Sequence, residues 1–143
     1  MFNSVCFYRL GHFLYTMRIP LLPKIIELII FLLYNSKIPS TCEIGKGSFF
    51  SYGGIGVVLH ARCKIGDNVD IGTNVTIGGR SGHYVVPVIG NNVYIATGAK
   101  ILGPIKIGNN VTIGANAVVI NDVPDNVIVA GIPARIIKSN KKI

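Results

Sequence analysis

The 143-residue chain has few of the residues on which several classes of protein depend. Its three cysteines, Cys6, Cys42 and Cys63, are odd in number and lack CxxC spacing, which argues against a disulfide framework or a zinc knuckle. A reducing cytoplasm fits this usage best, so a cytoplasmic protein is expected. The N-terminal stretch MFNSVCFYRL has no basic n-region and no obvious cleavage site, so no signal peptide is expected.

Acidic side chains and long apolar runs are also scarce. Six Asp and Glu residues stand against 14 Lys and Arg, and the net charge of +8 favours anionic partners. Nucleic acid is not expected among them, because aromatic and basic residues do not interleave. The most apolar stretch, residues 25–34, contains Glu27 and is too short to span a bilayer. Because half of the residues are hydrophobic and only 14% are charged, the composition predicts an obligate oligomer or a membrane-facing surface.

Residues 1–36 form a first segment with a helical pattern. The i, i+3, i+4, i+7 spacing of an apolar helix face is met by Leu10, Phe13, Leu14 and Met17. Pro23 fits the first turn of a second helix that ends near Asn35. This second helix is apolar nearly all round, which predicts burial against other subunits. The alternative is contact with the inner face of a membrane, beside Arg9, Arg18 and Lys24.

From residue 38 onward an isoleucine-rich position recurs every six residues, with one slip of three. Its members are Ile38, Ile44, Phe50, Leu59, Ile65, Ile71, Ile77, Ile89, Ile95, Ile101, Ile107, Ile113 and Val119. A second small or apolar position follows four residues later, and Gly, Asn and Asp recur between the two. A six-residue unit holds one short strand and one tight corner, and three units close a triangular coil of 18 residues.

This pattern predicts an all-β fold, a parallel β-helix of about five triangular coils. Adjacent coils lie about 4.8 Å apart, so residues 18 apart stack. Ile77, Ile95 and Ile113 are therefore predicted to form one inward ladder. The corners require backbone angles that Gly, Asn and Asp adopt. The predicted domains are a helical appendage over residues 1–36, the β-helix over 37–137 and a basic tail over 138–143.

The repeat resembles the hexapeptide acyltransferases, and the resemblance covers residues 38–137. It rests on VTIGG, on PVIGNNVYIATGAKILGPIKIGNNVTIGANAVVINDVP, and on the closing NDVPDNVIVAGIPARII. The middle segment is similar to serine acetyltransferases and their relatives in surface-polysaccharide synthesis. The resemblance implies a left-handed β-helix, a homotrimer with active sites at subunit clefts, and acetyl-CoA as donor.

Acetyl transfer to a hydroxyl needs a base, and histidine suits this role near neutral pH. The chain has three histidines, of which His12 lies in the helical segment. His60 occupies a corner position that is elsewhere nearly always Gly, Ala or Leu. His83 would point into the core if the hexad continued unbroken, but Gly78, Gly79 and Gly82 permit a bulge that brings it towards His60. We predict His83 as base, with His60 or Tyr52 as orienter or proton partner.

The catalytic pair of serine acetyltransferases is not preserved residue by residue. The family's first histidine falls at Tyr52 or Gly53, depending on the direction of alignment. Its second falls at Val86, and its aspartate falls at Lys37. These departures favour a sugar hydroxyl as the acceptor, with L-serine as the alternative.

The resemblance also implies donor-binding positions at small residues along the groove between subunits. They are Gly78, Gly79, Thr97, Gly98 and Ala115, with Lys100 and Arg135 as candidates for the nucleotide phosphates. Tight corners alone would also explain each of the small residues.

Other functions are weighed against acyl transfer. A γ-class carbonic anhydrase needs three histidines on zinc, whereas the coil region has only His60 and His83, so no metal is expected. An ice-binding β-helix would show threonine ladders, and none occurs. A non-catalytic β-helix scaffold remains the alternative from another functional class.

Overall fold

The computed structural model describes residues 2–140 and begins with two antiparallel helices, α1 (Ser4–Thr16) and α2 (Leu22–Tyr34). Asn3 caps α1, since its side-chain oxygen accepts a hydrogen bond from the Val5 N–H. Pro23 lies in the first turn of α2, where its missing N–H costs nothing, and the helix ends at Asn35 in the left-handed conformation. No helix in the described part of the chain is long and apolar enough to cross a membrane.

The buried face of α1 differs from the apolar stripe seen in the sequence. Ser4, Tyr8 and Gly11 are buried, whereas Leu10 and Met17 are more than half exposed. The Tyr8 hydroxyl reaches the Cys42 carbonyl, and the Arg9 guanidinium donates to two carbonyls of the first coil. The helix therefore turns its polar, coil-bonding face inward, and of its apolar stripe only Leu14 packs against the core, whereas Leu10, Phe13 and Met17 remain exposed in the single chain.

The remainder is a β-solenoid of short strands. The strands are β1 (Glu43–Ile44), β2 (Phe49–Phe50), β3 (Val58–Leu59), β4 (Lys64–Ile65), β5 (Asp70–Ile71), β6 (Thr76–Gly78), β7 (Val88–Ile89), β8 (Tyr94–Ile95), β9 (Lys100–Leu102), β10 (Lys106–Ile107), β11 (Thr112–Ile113), β12 (Val118–Val119), β13 (Val127–Gly131) and β14 (Ala134–Ser139).

These strands form three flat faces of a triangular prism. The first face holds β3, β6, β9 and β12, the second holds β1, β4, β7 and β10, and the third holds β2, β5, β8, β11, β13 and β14. All pairs are parallel except β13 with β14. We call the edge where the chain passes from first to second face the His60 corner. The edge from third to first face is the Thr97 corner.

The prism confirms the predicted all-β parallel solenoid with N-terminal helices and is consistent with the left-handed β-helix. It has about four full turns instead of five. The difference arises because two stretches leave the hexad. One is the slip after Phe50, which contains a 3-10 turn at Ser51–Gly53, and the other is a loop over residues 79–87.

The loop also overturns the predicted ladder of Ile77 with Ile95 and Ile113. Ile77 pairs with Leu59 and Ile101, whereas Ile95 pairs with Ile71 and Ile113. Ile65 stacks on Ile89, 24 residues later and six more than one coil. The six additional residues bulge out between the first and second faces, so Ile77 and Ile95 lie on different faces. His83 is exposed on this bulge, as the glycines around it indicate.

The core runs along the prism axis and consists almost entirely of the two repeating positions. The lead residues are buried, and so are the small or apolar residues four positions later, from Cys63 to Ala117. Asn or Asp side chains cap the corners by accepting backbone N–H bonds of the preceding coil, as Asn91 does from Asp67. This repeating core holds both corners in fixed positions.

Candidate active site at the His60 corner

His60 leaves the first face directly after β3, and its ring is fixed by the backbone. Its Nδ1 lies 3.1 Å from the backbone N–H of Arg62, which can only donate. Nδ1 is therefore the acceptor, and the proton of a neutral His60 sits on Nε2. Such a ring offers a donor at Nε2, on the side of Gly79, which fits an orienting or charge-stabilising role and does not fit a base at Nε2.

The loop over residues 79–87 starts at this corner and carries His83 at its tip. The His83 N–H donates to the Arg80 carbonyl at 3.0 Å, closing a turn with Gly82 at φ +82°. That angle requires glycine at the third turn position. The loop returns to the coil at Val86 and Pro87, which are buried. His83 is thus on an exposed turn beside the corner occupied by His60.

Gly78 and Gly79 lie one coil beyond His60 and differ from the corner glycines of the repeat. A Cβ on Gly79 would meet only Val86 at 3.4 Å and the His60 ring at 3.8–3.9 Å, and a Cβ on Gly78 would be at least 3.5 Å from its neighbours. Neither residue has a positive φ. The fold therefore has room for a side chain at both positions, and their bare backbone leaves space beside His60 for a ligand.

Gly98 is required by the fold itself. Its φ is +75°, and a Cβ there would collide with the side-chain oxygen of Asn116. Gly56 makes the same close approach to Asn74 two turns earlier on this edge. The corner geometry explains the glycine at position 98, so this residue alone does not indicate a ligand.

The other predicted donor-binding residues also lie away from the His60 corner. Thr97 and Ala115 are exposed at the Thr97 corner, where the Thr97 hydroxyl lies 2.8 Å from that of Thr73. Lys100 follows on the first face, and its Nζ donates to the Asn74 carbonyl. Arg135 lies exposed on β14. Of the basic tail, residues 141–143 lie outside the described part of the chain.

Tyr52 also lies at the Thr97 edge of the prism. It is 75% exposed and adopts the left-handed conformation, with φ +53°. Its neighbour Ser51 donates to the Asp70 carboxylate at 2.6 Å. Tyr52 and His60 stand at opposite ends of the first face, so the structure does not pair them within one chain. Apart from Arg135 on β14, the predicted site residues therefore divide between two corners.

The positions where the resemblance places the family's other catalytic residues carry no acid–base chemistry here. Val86 is buried at the base of the loop. Lys37 lies 3.4 Å from Glu27 of α2, as an ion pair that joins the helices to the first coil. Two arginines were not predicted from the sequence: Arg62, which contacts the loop, and Arg80, which lies in it and contacts the coil at Gly103. Their only sequence signal is that they flank the unusual corner and the glycine pair.

A cleft opens where the loop leaves the coil. It has a volume of about 410 Å³ and is lined by Gly79, Arg80, Ser81, Leu102 and Ile120. The Arg80 side chain lies over Gly103, whose N–H donates to the Gly78 carbonyl. A larger hollow on the second face includes none of the predicted site residues. No group of three His, Cys, Asp or Glu side chains within residues 2–140 is placed to hold a metal ion.

Comparison with known proteins finds similarity to bacterial hexapeptide transferases. The family model described as bacterial transferase hexapeptide (six repeats) matches residues 87–121. A serine acetyltransferase of Synechococcus elongatus is 40% identical over 139 residues, covering 95% of this chain and 56% of its own. One from Bacillus pumilus is 37% identical over 142 residues, covering 98% and 65%. This chain thus spans between about half and two thirds of the length of these relatives.

Solved structures agree with the sequence matches. A serine acetyltransferase from Brucella abortus in complex with coenzyme A has a TM-score of 0.91 at 33% identity, covering 98% of this chain and 56% of that one. A serine acetyltransferase in complex with cysteine has a TM-score of 0.87 at 34% identity, covering 96% and 54%. The similarity includes both helices and all three faces.

Proposed function

Because the chain belongs to the hexapeptide-repeat family of bacterial transferases, we propose that it moves an acetyl group from acetyl-CoA to a hydroxyl of L-serine. The observation that carries this proposal is the bare backbone of Gly79, which follows Gly78, against Nε2 of His60. The pantetheine arm of acetyl-CoA needs backbone hydrogen-bond donors and a close approach to the protein backbone. A backbone without side chains provides both.

The chemistry assigns different roles to the two histidines. His83 takes the proton of the acceptor hydroxyl as its oxygen bonds to the acetyl carbon, and the proton then passes to the departing sulfur as the C–S bond breaks. His60 offers its Nε2–H to the oxyanion or the acceptor, because its Nδ1 is already occupied by the Arg62 N–H. Acid–base and donor roles are thereby separated.

The acceptor is inferred from the relatives. The sequence analysis favours a sugar hydroxyl, but the relatives named above are serine acetyltransferases, and this supports L-serine, the alternative acceptor. A sugar hydroxyl is the second candidate, because residues that act on serine in the family are replaced here. Tyr52 or Gly53 stands where the resemblance places the first histidine. Lys37, which is paired with Glu27, stands where it places the aspartate.

The division of the predicted residues between two corners supports a homotrimer. In a threefold ring, the Thr97 corner of one subunit faces the His60 corner of the next. The cleft between them then has Thr97, Ala115 and Lys100 on one wall and His60 with the loop on the other. The exposed apolar residues of α2, such as Leu28 and Leu32, are proposed to pack against other subunits.

One assay tests the acceptor and donor together. Release of free CoA thiol is followed with acetyl-CoA and either L-serine or a panel of nucleotide-linked and lipid-linked sugars. Turnover with L-serine alone supports the proposal, and turnover only with a sugar selects the second candidate. No thiol release with any acceptor would leave the non-catalytic scaffold as the better description.

The assembly has its own test. Light scattering at micromolar concentration is expected to give the mass of three chains, and a stable monomer would contradict the trimer. Deleting residues 1–36 should leave the coils folded but lower solubility, because apolar edge surface is uncovered. Binding of the full chain to anionic vesicles, with the trimer unchanged by the deletion, would indicate a membrane role for the helices.

A further inference from the structure

Arg62 joins His60 to the loop that carries His83. Its backbone N–H donates to His60 Nδ1, and its Nη2 donates to the Tyr84 carbonyl at 2.6 Å. The guanidinium also covers the Tyr84 ring, with Cζ 4.1 Å from the ring centroid. Tyr84 is the residue next to His83, so one residue connects the two candidate catalytic residues, to His60 through its backbone and to the loop through its side chain.

The rest of the loop has few other attachments. Residues 79–85 are exposed, and the turn at its tip is closed only by the bond from His83 to Arg80. Among the hydrogen bonds of residues 2–140, the one from Arg62 is the single bond from a coil side chain to residues 80–85. A tip held by one contact depends on that contact for its position.

We propose that Arg62 is a positioning residue, which fixes the loop against the coil and so sets the distance from His83 to the acceptor. The effect on turnover rests on the proposed function, whereas the restraint of the loop does not. The contact also depends on an arginine. The planar guanidinium stacks on the ring and donates to the carbonyl at the same time, which an ammonium group cannot do.

The side-chain contacts of Arg62 with Tyr84 can be removed without disturbing its backbone bond to His60. The bond to His60 Nδ1 comes from the Arg62 backbone, so a change of side chain leaves the His60 ring in place. The bond to Tyr84 goes to its carbonyl and the stacking uses its ring, so Tyr84→Phe should retain both. Tyr84→Ala should lose only the stacking. Lys64→Ala, two residues from Arg62 and exposed, is the matched control for loss of a positive charge.

The test compares Arg62→Ala, Arg62→Lys, Tyr84→Ala, Tyr84→Phe and Lys64→Ala in the full chain. We expect Arg62→Ala to lower kcat about 10- to 100-fold, since small misplacements of catalytic groups have effects of this size. The KM for acetyl-CoA should stay within about twofold, and the melting temperature should be unchanged. Arg62→Lys and Tyr84→Ala should fall between this variant and wild type, whereas Tyr84→Phe and Lys64→Ala should match wild type.

Amide hydrogen exchange at His83, whose N–H donates to the Arg80 carbonyl, gives a readout that needs no activity. Exchange should be faster in Arg62→Ala and unchanged in Lys64→Ala. Wild-type exchange and wild-type kcat in Arg62→Ala would overturn the proposal, as would equal loss in Lys64→Ala. If wild type transfers no acetyl group to any acceptor, the proposed function fails, and the exchange data still decide whether Arg62 restrains the loop. Should Arg62→Ala fail to fold, Arg62→Lys and Tyr84→Ala provide the same comparison.

Discussion

The imidazole of His60 lies against Gly79, so that a Cβ on residue 79 would stand 3.9 Å from Nε2 of His60. This contact places bare backbone next to the ring nitrogen of His60 that the Arg62 N–H leaves free. Alanine substitutions at Gly79 and Gly98 can decide whether the glycine at residue 79 is required by the fold or leaves space for a ligand.

Gly79→Ala should keep or slightly raise stability while weakening activity. Its Cβ meets only ordinary contacts, and an alanine at a compatible position stabilises by about 0.4–1 kcal/mol through the unfolded chain. The methyl group would nevertheless occupy the space beside His60, so the KM for acetyl-CoA or the acceptor should rise. Thermal unfolding and steady-state kinetics on one preparation check this. A loss of stability with unchanged KM would show that the glycine serves the fold.

Gly98→Ala should have the opposite profile. Its positive φ and the collision with Asn116 make a side chain costly, by roughly 1–3 kcal/mol for a non-glycine residue held in a rare conformation. The melting temperature should therefore fall clearly. Activity per folded molecule should change less than in Gly79→Ala. Equal stability of Gly98→Ala and wild type would contradict the account of this corner.

His83→Ala should lower turnover roughly 10²- to 10⁴-fold, the usual contribution of a positioned general base. Affinity for acetyl-CoA should change little, because the proposed target of His83 is the acceptor hydroxyl. His60→Ala should cost less, and His60→Gln should recover part of the loss by restoring a donor near the Nε2 position. Turnover near wild type in both alanine variants would exclude a histidine base at this corner and make Tyr52 the next residue to test.

The repeat made most of the fold predictable. Each lead residue and each small residue four positions later is buried, because only apolar side chains fit inside a narrow prism. The helix boundaries followed from Pro23 and Asn35, whose backbone preferences act locally. The loop was predictable from its glycines, since they permit a departure from the coil.

Other features depend on contacts that spacing does not encode. Ile77 was placed on the wrong ladder because a six-residue bulge preserves the hexad in sequence while shifting the face in space. The inward face of α1 was missed because hydrogen bonds from Tyr8 and Arg9 to coil carbonyls decide its orientation, and these outweigh the apolar stripe. Arg62 was missed because its role arises only once the loop folds back onto the coil.

Only Cys6 should react with iodoacetamide in the native protein. Cys6 is exposed, whereas Cys42 and Cys63 are buried, with their sulfur atoms 2.7 Å apart. The hydrogen bond to Cys63, and then burial, raise the pKa of the Cys42 thiol, so little thiolate forms. Mass spectrometry should find one label before unfolding and three after it. Labelling of native Cys6→Ser at a comparable rate would show that the first coils open.

Stability should decline at alkaline pH, partly through Tyr8. Burial raises the pKa of the Tyr8 phenol above its usual value near 10, so the folded state keeps the proton that the unfolded chain releases. The contribution of Tyr8 to the free energy of unfolding is therefore complete below about pH 10, and it falls as the pH rises further. Urea unfolding from pH 8 to 11 measures this slope.

Tyr8→Phe should flatten that slope and also lower stability at neutral pH. The Cys42 carbonyl and the Ile44 N–H lose their partner, at a cost of about 1–3 kcal/mol for a buried unsatisfied group. Tyr15→Phe, at an exposed tyrosine of the same helix, is the control and should match wild type. An unchanged alkaline slope in Tyr8→Phe would mean that other groups dominate the pH dependence.

Mixing two inactive variants should restore activity if the active site lies between subunits. His83→Ala disables the His60 corner, and Ala115→Tyr blocks the Thr97 corner at an exposed position where the fold has room. Each variant alone should form inactive trimers. Refolded together in equal amounts, random trimers should pair an intact corner of each kind in about a quarter of their clefts. The recovered turnover should therefore approach about a quarter of wild type, with light scattering confirming the trimer mass.

A site contained in a single chain predicts no recovery at any ratio. The double variant His83→Ala/Ala115→Tyr mixed with His83→Ala provides the control, since no cleft in that mixture holds an intact His60 corner.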